Sequence, residues 1–265
     1  MKRTTGAPHR GARSHLGRIM RTYAIGDIHG QLEKLKAAHA LIEADKAAVG
    51  DPGATVVHLG DLPDRGPDTR GVFDYLLKCR DAGAPHVILL GNHDRMMRRF
   101  LHPEKLRDQM RDDLDWLWPP LGGRETLASY GVDVSHGRRD TAIHADAQNA
   151  VPESHIALLD SLSTPYTEGD CLFVHAGIRP GVPIEAQSRD DLVWIREPFL
   201  SDTSDHGPLI VHGHTPVEEV THYGNRLNLD TGAGYGQALS AVVIEGRDVW
   251  LLTKDGRRPV PPIGP

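Results

Sequence analysis

The chain has 265 residues, 30 Lys and Arg against 36 Asp and Glu, a formal net charge of −6 and only two cysteines. That length suits one α/β domain with an insertion. The acidic balance argues against a general nucleic-acid binder, the absence of an apolar run of about 20 residues against a membrane helix, and two cysteines against a disulfide framework.

In chain order, residues 1–21 hold Lys2, Arg3, Arg10, Arg13, Arg18 and Arg21 and no acid, with no apolar core of a secretory signal. They read as a disordered basic tail before a domain over 22–254. Five short apolar runs then end in polar residues. Tyr23-Ala24-Ile25 leads into Gly26-Asp27, and Val56-Val57-His58-Leu59 into Gly60-Asp61. Val87-Ile88-Leu89-Leu90 leads into Gly91-Asn92, Cys171-Leu172-Phe173-Val174 into His175, and Leu209-Ile210-Val211 into His212-Gly213-His214. Such runs predict buried strands. Between them, Leu32, Leu35 and Ile42, then Val72, Phe73, Leu76 and Leu77, mark helical stripes. Strand and helix alternation predicts an α/β sheet, whose ligands gather beyond the carboxyl ends of the strands. Residues 96–170 read as a mostly helical insertion, Leu227 to Thr253 as antiparallel strands, and 255–265, with Pro259, Pro261 and Pro262, as a tail.

The strand-end residues carry the chemistry. Asp27, His29 and Asp61 offer two carboxylates and an imidazole, and Asn92, His175 and His214 an amide oxygen and two imidazoles. Six mixed oxygen and nitrogen donors suit two divalent transition ions with one shared carboxylate. The 16 histidines also allow blander readings. His212, two residues before His214, would share its face in a strand and is an alternative ligand. His58 reads as a core histidine, and His136, His144 and His155 as surface residues. Arg98 and Arg99 either guide an anionic substrate or line a solvated helix face. Cys79 and Cys171 have no metal or redox spacing, which fits a reducing, cytoplasmic setting.

Gly26-Asp27-Ile28-His29-Gly30, Gly60-Asp61-Leu62-Pro63-Asp64-Arg65-Gly66, Gly91-Asn92-His93-Asp94, Val174-His175-Ala176-Gly177 and Val211-His212-Gly213-His214-Thr215 follow one another in order. In these blocks the chain resembles the phosphoprotein phosphatase branch of the binuclear metallophosphoesterases, most nearly its bacterial and phage Ser/Thr members, over about residues 22–245. The resemblance implies a β-sandwich flanked by helices. It implies Asp27, His29 and Asp61 on a first metal and Asp61, Asn92, His175 and His214 on a second. It makes His93 the proton donor to the leaving group, Asp64 its carboxylate partner, and Arg65 and Arg196 the phosphate-binding arginines. Manganese is the expected metal, with iron, zinc or nickel also acceptable to these donors. The implied reaction is hydrolysis of a phosphomonoester, on a phosphorylated protein or a small phosphoester, by in-line attack of a metal-bound hydroxide.

Three alternatives stand beside it: a symmetrical diadenosine tetraphosphate hydrolase, a nucleotide or polynucleotide-end phosphatase, and a non-catalytic scaffold. The acid at Asp64 favours the phosphatase over the first, and retention of the whole donor set speaks against the scaffold. Pro63 departs from the small or β-branched residue usual in the motif. Asp94 replaces a frequent Glu, and Tyr130 reads as structural. The C-terminal loop of the eukaryotic enzymes is lacking, so targeting by their regulatory subunits is not expected.

Overall fold

A computed structural model describes residues 20–263. Most of the basic N-terminal stretch lies outside them. Arg21 lies inside, opening β1 (Arg21–Ile25), where its guanidinium meets Glu245 at 2.7 Å and Asp51 at 3.1 Å.

The predicted runs pair in parallel. β2 (Thr55–His58) joins β1 with Tyr23 opposite Val56, and β3 (His86–Ile88) joins β2 with Val57 opposite Val87. On the other side of β1 lie β9 (Ala241–Glu245), β10 (Asp248–Thr253) and β11 (Gly256–Pro259), all antiparallel, giving a six-stranded sheet ordered β11-β10-β9-β1-β2-β3. A second sheet of five strands runs β4 (Tyr166–Glu168), β5 (Cys171–Phe173), β6 (Leu209–His212), β8 (Arg226–Asn228) and β7 (Thr221–His222). In it, β5, β6 and β8 are mutually parallel.

Alternation along each strand assigns its two faces. Ala24, Val57 and Val242 point inward and meet Phe173, Val211 and Leu227 from the second sheet, forming a sandwich core. Tyr23, Ile25, Val56 and Val243 point outward to a larger core beneath α1 (Leu32–Val49) and α2 (Thr69–Asp81). The helical stripes are as predicted: Leu35 and Ile42 on α1, and Val72, Phe73, Leu76 and Leu77 on α2, are buried. Asp68 caps α2 by accepting the Gly71 N–H at 2.8 Å. α7 (Arg189–Trp194) covers the outer face of the second sheet through Leu192.

Two stretches differ from expectation. The 96–170 segment contains α4 (Gly123–Ser129), α5 (Asp140–Ala150) and α6 (Glu153–Ser161), but residues 101–118 form turns. Asp108 and Asp115 accept N–H groups two residues on, from Met110 and Leu117, each at 3.0 Å, which favours turns over helix. Nor do residues 256–259 form a loose tail. β11 pairs with β10 as far as Pro259 opposite Trp250, and proline is tolerated because this is the sheet edge.

Candidate metal centre

Both sheets bring the carboxyl ends of three parallel strands to one cleft. The loops there are strained. Among the described residues, five of the six non-glycine residues with positive φ are His29, Asp61, Asp64, Arg65 and His214. Such angles persist only where surrounding contacts impose them. The contacts are visible: the Asp61 carbonyl accepts the Ile28 and His29 N–H groups at 3.2 and 2.8 Å, and Asp94 accepts those of Asp61, Leu62 and Gly91 at 2.8–3.0 Å. Close approach also dictates glycine. A Cβ at Gly213 would lie 2.0 Å from Asp27 Oδ1, and one at Gly91 2.2 Å from Asp61 Oδ1.

Asp61 is central. Its Oδ1 lies 3.3 Å from His175 Nε2, and its Oδ2 lies 3.6 Å from His29 Nε2 and 4.0 Å from His93 Nε2. Asn92 Oδ1 sits 2.9 Å from His175 Nε2 and 2.8 Å from His214 Nδ1. Two buried groups thus share Asp61: His29–Asp61–His93 and Asp61–His175–His214, each with candidate ligand atoms within 4.8 Å of one another. Asp27 joins through the backbone, its Oδ2 accepting the His214 N–H at 3.0 Å.

Other contacts set the imidazole tautomers. His29 Nδ1–H donates to the Pro63 carbonyl at 2.9 Å and His175 Nδ1–H to the Leu59 carbonyl at 2.8 Å. Both Nε2 atoms therefore present lone pairs to the cleft, as ligating histidines do. Pro63, unusual in the motif, thus contributes the carbonyl that orients His29.

His93 Nδ1–H donates to Asp64 Oδ2 at 2.6 Å. Asp64 is fully buried and also accepts Trp116 Nε1–H at 2.8 Å and Thr126 Oγ1–H at 2.8 Å. Arg65 spans the site, with Nη1 donating to His29 Nε2 at 2.5 Å and Nη2 to His93 Nε2 at 3.0 Å. Its guanidinium stacks on the exposed Tyr235 ring at 4.7 Å. Arg196 is exposed beyond α7, close enough that its charge helps hold His175 and His214 neutral.

The electrostatics call for cations. Burial, then Asp230 and Asp61, push Asp27 well above the usual carboxylate range. Burial would raise Asp61 too, but His175, His93, His29 and His214 hold it below that range. Burial raises Asp230 to about 6. Burial, with Arg65 for His29 and His175 for His214, drives both imidazoles well below their usual range. Asp27 Oδ1 and His214 Nε2 are buried with no hydrogen-bond partner among the described residues. Crowded carboxylates beside neutral imidazoles and orphaned donor atoms fit divalent ions with mixed nitrogen and oxygen ligation.

Several sequence expectations change. His212 does not share His214's side of the cleft: β6 ends at His212, the φ of 66° at His214 breaks the alternation, and His212 packs on Phe199 and faces Arg226. His155 is not a surface residue but buried, with Nδ1 2.8 Å from the Tyr130 hydroxyl, which gives Tyr130 its structural role. Arg98 pairs with Asp160, and Arg99 donates to the Arg107 carbonyl. The buried Cys171 thiol is pushed up to about 12, and so is unreactive.

Sequence reasoning passed over Asp230, Trp116 and Thr126. Asp230 follows Leu227-Asn228-Leu229, a further apolar strand ending in an acid, and that pattern could have flagged it. No local signal links Trp116 or Thr126 to Asp64, since only the fold brings the insertion there.

The profile of the calcineurin-like phosphoesterase family matches residues 20–240. The chain belongs to that family. It is therefore a metallophosphoesterase-fold hydrolase, with two mixed sheets flanked by helices and buried His and Asp clusters suited to a binuclear metal site. It is 26% identical over 237 residues to the asymmetrical bis(5'-nucleosyl)-tetraphosphatase PrpE of Geobacillus thermodenitrificans, covering 82% of this chain and 88% of that protein. It is 25% identical over 240 residues to the PrpE of Bacillus subtilis, covering 82% and 87%. The cold-active protein-tyrosine phosphatase of a psychrophilic Shewanella species superposes with a TM-score of 0.58 at 18% identity, over 92% of this chain and 81% of that one, a likeness of fold.

Proposed function

We propose that this calcineurin-like phosphoesterase is a phosphomonoesterase with two divalent metals, manganese foremost, acting on phosphoserine and phosphothreonine in proteins. Asp27, His29 and Asp61 would hold one ion, and Asp61, Asn92, His175 and His214 the other. When bound, the pair would supply an activated water and offset charge on the phosphoryl group. Arg65 and Arg196 would orient the phosphoryl oxygens through their planar forks. His93 would protonate the departing oxygen, with Asp64 fixing its ring.

The observation that carries this reading is the 2.6 Å His93–Asp64 pair, whose carboxylate is held by Trp116 and Thr126. A serine or threonine alkoxide is a poor leaving group and needs a proton donor. A nucleotide leaving through a phosphate oxygen needs one far less.

A second reading is hydrolysis of dinucleoside polyphosphates. It draws on the named activity of the PrpE relatives and on the exposed Tyr235 ring beside Arg65, which could take a nucleobase. Rates with Mn²⁺ on a phosphoserine peptide and on diadenosine tetraphosphate, measured side by side, separate the two. A higher kcat/KM on the tetraphosphate would overturn the first reading. Loss of both activities on chelation is expected, and full activity in chelator would overturn the metal requirement.

A further inference from the structure

On the far side of the six-stranded sheet from the second sheet, beneath α1 and α2, three more imidazoles meet. His39 on α1, His58 ending β2 and His86 opening β3 have ring centroids 5.1, 4.9 and 5.0 Å apart. One nitrogen of each lies within 4.8 Å of one from both others. The register explains the meeting: Val56 pairs with His86 and His58 with Ile88, so His58 and His86 share the face that α1 covers.

Their hydrogen bonds follow one consistent proton order. His58 Nδ1–H donates to the Val87 carbonyl at 3.3 Å, which leaves His58 Nε2 to accept His39 Nε2–H at 2.9 Å. His39 Nδ1 then accepts the Tyr75 hydroxyl at 3.0 Å. His86 Nδ1 is buried with no hydrogen-bond partner among the described residues. Burial holds all three neutral at pH 7: His39 falls to about 3, His86 to about 4, and His58 well below its usual range.

We propose that His39, His58 and His86 form a third metal site, separate from the cleft, for Zn²⁺ or a similar borderline divalent ion. Three imidazoles are a donor set such ions accept, and an ion would satisfy the orphaned His86 ring. Ligation requires one internal proton shift. The His39 proton moves from Nε2 to Nδ1, the Tyr75 hydroxyl turns from donor to acceptor, and no proton leaves the protein. Glu43, one helical turn beyond His39, is the nearby anion. Lys46 is the opposing charge, but its ammonium pairs with Glu43 at 3.0 Å. A bound ion would tie α1 to β2 and β3, the strands whose ends lead into Asp61 and Asn92. The site stands whether or not the cleft is a phosphatase.

The test uses the full chain with the cleft disabled by Asp61→Asn and His175→Asn, stripped with chelator and then dialysed against buffered Zn²⁺. Elemental analysis should find one zinc per chain, lost when His39→Gln and His86→Gln are added. Equal zinc with and without those two changes overturns the proposal. His86→Asn alone, at the least buried of the three rings, guards against misfolding. It should weaken zinc binding by about tenfold or more while the circular dichroism spectrum stays unchanged. Unweakened binding in that variant also overturns the site. Co²⁺ in place of zinc should give visible absorption of a four-coordinate histidine site in the cleft-disabled chain, and an octahedral aquo-type spectrum there refutes it.

Discussion

The backbone N–H of His214 donates to Asp27 Oδ2 at 3.0 Å across 187 residues of sequence. Asp27 follows β1 of the six-stranded sheet and His214 follows β6 of the other, so this bond fastens the two halves of the sandwich at the cleft. The shared Asp61 makes the second link, between His29 on one side and His175 on the other. Replacing Asp61 with Asn keeps its shape but removes the anion common to both ligand groups. Asp61→Asn should fold normally, retain fewer than two metals per chain by elemental analysis, and lose at least about 100-fold in kcat. Two tightly bound metals in that variant would contradict the bridging role.

The His93–Asp64 pair predicts a dependence on the leaving group. His93→Asn should keep its metals and lose about 10²–10⁴-fold in kcat on a phosphoserine peptide. On p-nitrophenyl phosphate, whose leaving group needs little protonation, the loss should be much smaller. Equal losses on both substrates would remove His93 from the proton-donor role.

Trp116 reaches Asp64 from the insertion through one indole N–H at 2.8 Å. Trp116→Phe preserves the ring packing against Phe100 but leaves Asp64 one donor short. Because the acceptor is a buried carboxylate, stability should fall by about 1.5–3 kcal/mol in urea unfolding. The pH profile of kcat on alkyl phosphates should also move, as the carboxylate orienting His93 loses one of its hydrogen-bond donors. An unmoved profile would make Trp116 purely structural.

Tyr235 separates the two substrate readings. Its ring lies over Arg65 and is 60% exposed. If a nucleobase stacks there, Tyr235→Ala should raise KM for diadenosine tetraphosphate about tenfold, in line with about 1–3 kcal/mol per stacked base, and leave the peptide KM unchanged. An unchanged KM for both substrates would deny Tyr235 that role.

His39 makes acid stability predictable in sign. Its folded value, pushed down to about 3 by burial, lies below its ordinary 6.5. The unfolded chain therefore takes up a proton that the folded chain refuses, and stability present above pH 6.5 is lost as pH falls below it. In chelator, wild type should lose about 2 kcal/mol relative to His39→Gln between pH 7 and pH 5. A pH-independent difference between the two unfolding curves would refute the buried neutral imidazole.

Five of the strands, β1, β2, β3, β5 and β6, were legible because each belongs to a short apolar run that leads into a polar residue, a pattern that needs no long-range knowledge. The cleft residues were legible for the same reason, since each of Asp27, His29, Asp61, Asn92, His175 and His214 adjoins such a run. Contacts made across the fold were not legible. Trp116 and Thr126 lie 52 and 62 residues from Asp64, and nothing local marks them. His155 reads as polar and exposed until Tyr130 and the Phe73 ring are found around it. His58 looks like an isolated core histidine because His39 and His86 arrive from another helix and another strand. His212 stands as an alternative ligand on strand periodicity alone, which fails two residues later, where the backbone turns left-handed at His214.

β11 is held to the sheet by its ladder to β10 and by Arg257, whose guanidinium bridges Asp45 at 2.7 Å and Glu245 at 2.8 Å. Without that strand, β10 would become the border of the sheet, and its Val249-Trp250-Leu251-Leu252 run would offer unpaired backbone groups to any neighbour. β11 therefore acts as a cover against self-association. Chains shortened before Gly256 should gather into oligomers on size-exclusion chromatography even while their clefts stay intact.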